Sequence, residues 1–346
     1  MKERLVYVDL LRVIAMVPVV VCHFTRSLEA AGVGYSNKIL PDTVFGVYLG
    51  DFGVCIFFVL SGISLMYTYD GELEMKKYIK KRFLGIYPMF WLTWILAFLY
   101  LTYKNAGLSM WNGIPKTKFL LTLIGMDGYT LWYGSNFYIL GEWFLGCIIL
   151  LYILFPILKF GVEKQPVITA IIILLIYFIG SKIYNGKIPV SIFFLFRIPE
   201  FAFGMYLVKY FKNIKWYMVL TSFAILFCFE LFSMNTVEIL YKNTLIGIST
   251  VILVKFLCQK IKSQGFYEIF SKIGKYCYVI FLTHHFVIQE ITMRFTGKYL
   301  SKSEVYAVFL LCLIVMSFVS RFIVKINKEI NIFIKGIRDK QKAVIG

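Results

Sequence analysis

The residues best suited to chemistry lie in the first apolar stretch, Tyr7 to Phe24, which reads YVDLLRVIAMVPVVVCHF. The stretch is long enough to cross a membrane, yet it contains Asp9, Arg12 and His23. Ionisable side chains at membrane depth are costly, so they usually mark a functional site. A neutral imidazole is the side chain best suited to accept a proton near neutral pH, which makes His23 a candidate general base.

The spacing of these residues puts them on one side of a helix. Arg12 and His23 are eleven positions apart, so at 100° per residue their directions agree to within about 20°, and about 16 Å separates them along the axis. Asp9 lies one turn before Arg12, at the i, i+3 spacing of an ion pair. Arg12 is therefore a candidate for binding phosphate or a developing oxyanion, with Asp9 holding it. The alternative is that Asp9 and Arg12 are helix-end residues that reach the membrane surface.

The composition predicts an all-α polytopic membrane protein. Of the 346 residues, 60% are hydrophobic, and apolar runs recur along the whole length. We therefore predict one integral-membrane domain over residues 1–346, with about ten transmembrane helices and both termini cytoplasmic. The predicted spans are 6–26, 45–68, 86–103, 142–159, 166–181, 190–208, 215–233, 243–258, 275–293 and 304–324.

The formal charge of +18 follows this topology. The basic segments between the spans fall mainly on the side of the two termini, as the positive-inside rule predicts for the cytoplasm. The charge therefore needs no nucleic-acid partner to explain it. The seven cysteines lie in or beside apolar runs without CxxC spacing, so we expect neither disulfides nor a metal site.

A basic segment, KKYIKKR, precedes the third predicted span and ends at Arg82. Two interpretations remain open. Anionic lipid can hold such juxtamembrane charge, or the cluster can bind a phosphorylated cytosolic ligand. In the second case Arg82, Lys81 and Lys80 are the candidate binding residues.

Other polar residues within the apolar runs are candidates either for a cavity or for helix packing. Arg197 and Glu200 have i, i+3 spacing, which favours a pair that ties the bundle together or shapes a polar cavity. The ninth span contains His284 and His285, and periodicity does not tell which of them faces the interior. The remaining candidates for cavity or supporting positions are Ser61, Glu142 and Trp143.

Taken in order, these segments resemble the acyltransferase-3 family of bacterial inner-membrane acyltransferases. The first span is similar to the family's DGLRAIA opening and its Arg-x10-His signature, which here falls on Arg12 and His23. Three later segments resemble the family's FFVLSGF, WFL…Y…P and SYxIYLxH patterns. They are residues 57–62, 143–156 and 278–284.

Two positions depart from the family pattern. The cytoplasmic RxxR with a following proline would fall on Arg82, Gly85 and Pro88, so the second arginine is absent. The acidic residue often found before FFVLSG is replaced by Cys55. A lysine such as Lys80 or Lys81 substitutes for the missing arginine only as a point charge, without its bidentate geometry.

The resemblance implies a multi-pass enzyme of the bacterial cytoplasmic membrane that is an O-acyltransferase, most simply an O-acetyltransferase. It implies His23 as general base, acyl-CoA as cytosolic co-substrate and a cell-surface or exported glycan, or a lipid-linked sugar, as acceptor. The expected partners are these two substrates and membrane lipids, with no permanently bound cofactor. A glycan or lipid transporter is the alternative, because many spans and intramembrane charges fit one as well. The lack of a convincing repeat between the two halves of the sequence argues against it.

Overall fold

A computed structural model describes residues 5–140, 143–232, 237–261 and 264–345. The described chain is almost entirely helical, as predicted. Its α-helices are α1 (Val6–Ala30), α2 (Leu49–Thr68), α3 (Met75–Lys104), α4 (Phe119–Leu123), α5 (Asp127–Thr130), α6 (Trp143–Lys164), α7 (Pro166–Leu175), α8 (Ser181–Ile183), α9 (Ile198–Lys209), α10 (Trp216–Phe232), α11 (Ile239–Lys260), α12 (Gln264–Gly274), α13 (Cys277–Thr292) and α14 (Lys302–Ile345). A π-helical turn, Ile176–Gly180, joins α7 to α8. The strands have two residues each and are β1 (Gly34–Tyr35), β2 (Thr43–Val44), β3 (Val47–Tyr48) and β4 (Tyr299–Leu300).

Seven of the described helices are long and apolar enough to cross a membrane. They are α1, α2, α3, α6, the run Pro166–Ile183, α11 and the segment Lys302–Phe333 of α14. The helix α10 is apolar but shorter, while α9 and α13 have 12 and 16 residues. The class of helical, multi-pass membrane protein is therefore confirmed. The count of ten spans, the cytoplasmic termini and the single domain stay predictions.

Four helices begin four or more residues away from the predicted span boundaries. Of these, α9 begins at Ile198 rather than at residue 190, after a 3-10 turn at Phe194–Arg197, and α11 begins at Ile239 rather than at residue 243. The second span was predicted from residue 45, but Phe45 and Gly46 form the tight turn between β2 and β3, with φ of 52° and 73°. Two consecutive positive φ angles are typical of a two-residue hairpin turn and are incompatible with a helix. The third span was predicted from residue 86, whereas α3 already begins at Met75. Lys and Arg are good helix formers, so the basic segment continues the helix.

Glycines let α2 lie unusually close to two neighbouring helices. A Cβ added at Gly53 would overlap the backbone carbonyl oxygen of Ala15 in α1. A Cβ added at Gly62 would overlap the carbonyl oxygen of Phe201 in α9. The helix α2 is therefore held between α1 and α9 by contacts that only glycine permits.

The first helix lies at the centre of the part of the bundle that holds the candidate residues. It packs against α2, α11, α12 and α13. Its two ends therefore meet different partners, since α12 approaches near Asp9 and α13 carries both remaining histidines.

The contact of Gly62 with α9 predicts a large effect from one methyl group. Gly62→Ala should lower the free energy of unfolding by about 1 to 3 kcal/mol, because the added carbon meets backbone that cannot move aside. Thermal unfolding in detergent, followed by the loss of the monodisperse species on size exclusion, measures the change. Gly85→Ala is the matched control, since a Cβ at Gly85 meets no atom within 4 Å. Equal stability of the two variants would contradict the packing argument.

Candidate active site

Arg12 and Asp9 form the ion pair that their spacing predicts. Arg12 Nη1 lies 2.8 Å from Asp9 Oδ1. The Asp9 side chain is buried, whereas that of Arg12 is 36% exposed and turned towards a cavity. A Cβ added at Gly274 would lie 3.2 Å from Asp9 Oδ1, so the end of α12 covers the carboxylate. Asp9 is thus placed to position the guanidinium rather than to meet a ligand.

The cavity beside Arg12, here called the arginine cavity, has a volume of about 320 Å³. Its charged lining groups are Arg12, Arg82 and Lys275. The rest of the wall is mainly apolar and aromatic, and the Arg82 guanidinium carbon lies 5.6 Å from the ring centre of Tyr69 and 5.9 Å from that of Tyr152. A cavity with three cations and an apolar wall suits a ligand that combines anionic groups with an apolar or neutral chain.

Lys275 is a member of this site that the sequence argument missed. Gly85 lines the cavity where the family pattern would place a second arginine, and open space surrounds it. Lys80 and Lys81 are exposed and are not among the lining residues, although the Lys81 ammonium lies 5.7 Å from the centre of the Tyr69 ring. The third cation at the cavity wall, beside Arg12 and Arg82, is therefore Lys275, which lies between α12 and α13. A signal was present in the sequence, because Lys275 lies just before the segment that resembles SYxIYLxH.

A second cavity of about 320 Å³, here called the histidine pocket, lies beside the other end of α1. His23 and His285 both line it. Their ring centres are 3.7 Å apart, and the His284 ring centre is 5.1 Å from that of His23. The other lining residues are the polar Arg26, Ser27 and Gln289, the small Ala30 and Ala31, and the apolar Met293. These polar groups can hydrogen-bond a hydroxylated ligand close to the imidazole of His23.

The structure answers which of the two neighbouring histidines faces inward. His284 is 2% exposed, and its Nδ1 lies 2.7 Å from the carbonyl oxygen of Phe281 and 3.2 Å from that of Ile280. A carbonyl oxygen only accepts hydrogen bonds, so Nδ1 holds the proton and Nε2 has a free lone pair. Within the described chain, no group pairs with that Nε2.

His284 and Phe281 separate the two cavities. Phe281 lines the arginine cavity, and its ring centre lies 6.1 Å from that of His284, which in turn contacts His23. The cavities therefore follow one another along α1 and α13. The predicted common face of Arg12 and His23 corresponds to two successive cavities with a ring contact between them.

The Arg197–Glu200 pair is fully buried and belongs to the packing of the bundle. Arg197 Nη1 lies 3.0 Å from Glu200 Oε1, and both side chains have no exposed surface. Arg197 also donates to Cys55 Sγ, and Thr244 of α11 donates to Glu200 Oε1. The pair thus joins α2, α9 and α11. Neither residue lines the arginine cavity or the histidine pocket.

The other candidates divide between wall and support. Ser61 lines the arginine cavity and donates to the carbonyl oxygen of Phe57. Trp143 opens α6 and packs against Phe144, which lines the same cavity. Glu142 lies outside the described residues.

Guanidinium groups in one cavity and an imidazole in the next are residue types that a group-transfer reaction can use, as charge-stabilising groups and as a general base. Comparison with known proteins gives the class more closely, since a family model described as an acyltransferase domain matches residues 5–325. The chain therefore belongs to the acyltransferase-3 family, a family of membrane acyltransferases.

A curated relative supports this assignment over part of the chain. Acyltransferase MdmB of Streptomyces mycarofaciens is 28% identical over 161 residues, which is 45% of this chain and 40% of that protein. The match thus spans less than half the length of that relative. No solved structure matches the chain.

The contacts of Arg197 indicate a structural role, which predicts a measurable change in the free energy of unfolding when the pair is broken. Removing one partner of a fully buried ion pair leaves an uncompensated charge, so Glu200→Ala should lower the free energy of unfolding by about 3 to 5 kcal/mol. Lys77→Ala breaks an exposed ion pair with Glu74, which has the same i, i+3 spacing. This variant should change the free energy of unfolding by at most about 1 kcal/mol. Thermal unfolding in detergent compares the two variants. A stable but inactive Glu200→Ala protein would place this pair in the chemistry instead.

Proposed function

We propose that this protein transfers an acyl group, most simply acetyl, from cytosolic acyl-CoA to a hydroxyl group of a cell-surface or exported glycan. The observation that supports this most strongly is that α1 presents Arg12 to a cationic cavity and His23 to a polar pocket. A donor with phosphates and an acceptor with hydroxyl groups need different environments. The two cavities differ in the way that those substrates require.

The arginine cavity is the proposed donor site. Arg82 and Lys275 would pair with the phosphates of coenzyme A, since guanidinium and ammonium groups form strong charge-assisted hydrogen bonds to phosphate. Arg12 would bind a further phosphate oxygen of the donor, since it lines the same cavity and lies about 16 Å from His23 along α1.

The histidine pocket is the proposed acceptor site. Arg26, Ser27 and Gln289 would bind sugar hydroxyl groups and hold one of them against His23. The oxygen of that hydroxyl attacks the thioester carbon, and its proton passes to the neutral imidazole. The carbon–sulfur bond then breaks, the coenzyme A thiolate leaves, and the proton held by His23 is returned to the thiolate, directly or through water, so that the imidazole is neutral again. In this scheme the acyl end of the donor reaches His23 past the Phe281 ring.

The order of the two cavities along α1 fits the predicted topology. With both termini in the cytoplasm, the start of α1 lies near the cytosol, where acyl-CoA is made, and His23 lies towards the outer leaflet, where an exported glycan is found. The bilayer provides the surrounding lipid for the apolar helix faces. The protein's own residues supply all the groups in this scheme, with no bound cofactor.

Replacing His23 tests the proposed base. His23→Ala should lower the rate of acyl transfer by about 10²- to 10⁴-fold, the usual contribution of a general base. The measurement is the acyl content of surface glycan, by mass spectrometry, in cells that express each variant at equal levels. Cys22→Ala is a matched control, because Cys22 is the neighbouring residue on α1 and lines neither cavity. Transfer at the wild-type rate by His23→Ala would show that the base lies elsewhere.

Replacing the cavity cations tests the proposed donor site. Arg82→Gln and Lys275→Gln should each raise the KM for acetyl-CoA by roughly 10-fold or more, because each loses a hydrogen bond to a charged group. The measurement is labelled acetyl transfer by membranes that contain the variant. Lys77→Gln, on the exposed face of the same helix as Arg82, is the control.

A truncated donor sharpens this experiment. Acetyl-dephospho-CoA lacks one phosphate, so a variant that has lost the partner of that phosphate should no longer distinguish the two donors. An unchanged KM in both variants would exclude the arginine cavity as the phosphate site. Movement of unmodified glycan across the membrane, without acyl transfer, would favour a transporter.

A further inference from the structure

All three histidines of the chain meet at one place. His23 comes from α1, and His284 and His285 come from α13. One nitrogen of each ring lies within 4.8 Å of a nitrogen of each of the others. Nothing in the proposed acyl transfer requires three imidazoles, because a single base suffices.

The spacing of these nitrogens is close to that of a metal site. An ion at the centre of a triangle with such sides would lie within roughly 2.8 Å of each nitrogen, whereas a Zn–N bond is about 2.0 to 2.1 Å. Small side-chain rotations about Cα–Cβ and Cβ–Cγ therefore suffice to close the difference. The cysteines and carboxylates of the described chain contribute no atom to this cluster.

The buried imidazole provides an independent observation. His284 is 98% buried, and its Nε2 has no hydrogen-bond partner within the described residues. An unpaired polar atom in such a place costs about 1 to 3 kcal/mol. Its Nδ1 donates to the backbone carbonyls of Phe281 and Ile280. Metal-binding histidines typically have this arrangement, in which a backbone oxygen fixes the tautomer and aims the other nitrogen at the ion.

We propose that His23, His284 and His285 bind one divalent transition metal, with Zn²⁺ as the ion that three neutral imidazoles suit best. Three protein ligands leave a fourth position open, and this position faces the histidine pocket. The sequence predicted no metal site because two of the ligands lie about 260 positions from the first and only the fold joins them.

The consequence for catalysis rests on the proposed function. A proton and a metal ion compete for the same lone pair of His23, so an occupied site has no free base. Zn²⁺ should therefore inhibit acyl transfer, and a chelator should restore it. Mg²⁺ prefers oxygen ligands and should have no such effect.

Cobalt binding tests the site without any assay of activity. The full chain, purified in detergent with a tag that contains no histidine and stripped with a chelator, is titrated with Co²⁺. We expect one ion per chain and the visible absorption of four-coordinate cobalt, displaced by Zn²⁺ and not by Mg²⁺. His284→Ala and His285→Ala should each weaken binding at least 10-fold. Where His284→Ala lowers the folded yield, His284→Gln fills the buried space without an imidazole.

Ser27→Ala is the matched control, because Ser27 lines the same pocket and its hydroxyl bonds Thr292. It should bind cobalt as the wild type does. All seven cysteines remain in each variant, so binding that persists without His284 and His285 would come from thiolates and would overturn the proposal. Absence of saturable binding to the wild-type chain would overturn it as well. Stoichiometric binding without inhibition would support the metal site and contradict His23 as the base, so the two proposals fail separately.

Discussion

The structure depends on a constraint that acts on every polar side chain within an apolar helix. At membrane depth there is little water to satisfy such groups, so an unpaired polar group is costly and pairing inside the bundle is favoured. Arg12 forms an ion pair with Asp9, and Arg197 forms one with Glu200. The ring of His23 packs against the two other imidazoles. The helix α1 therefore meets α12 and α13 at polar side chains as well as at apolar ones, at Asp9 and at His23.

Two ion pairs with the same sequence spacing lie in different environments in this fold. Asp9–Arg12 and Arg197–Glu200 are both i, i+3 pairs with similar bond lengths. The first leaves its guanidinium partly exposed to a cavity, while the second is closed off by the packing of α2, α9 and α11. Exposure depends on which helices lie beside the pair, so the spacing alone could not tell a pair that is open to a cavity from one that is fully enclosed.

The sequence predicted the helical class, the pairing of Asp9 with Arg12 and the relation of Arg12 to His23. These follow from local rules, since hydrophobicity defines the helices and helix geometry defines a common face. It did not predict Lys275 at the cavity wall or the meeting of His23 with His285. Both depend on contacts between segments far apart in the chain. The partner of Glu290 is a further example, because Lys104 of α3 pairs with it from a distant part of the sequence.

The same reasoning explains why the hairpin before α2 was mistaken for helix. Phe45 and Gly46 lie in an apolar run, and hydrophobicity does not report the sign of φ. The turn matters for the site because it ends just before the glycines that let α2 approach α1. Gly53 meets α1 at Ala15, between Arg12 and His23, and so fixes the middle of the helix whose two ends open on the two cavities.

The contact between Phe281 and His284 limits how the two cavities can cooperate. In the proposed reaction, donor and acceptor must meet at one atom, yet these two rings lie between the cavities proposed to bind them. His284 is anchored by its bonds to the α13 backbone, whereas Phe281 is a half-buried side chain without a polar tether. A rotation of Phe281 therefore disturbs less of the structure than any movement of the histidines. Under the proposed function, the Phe281 ring, rather than the imidazole cluster, is therefore the element that would move to let an acyl chain reach His23.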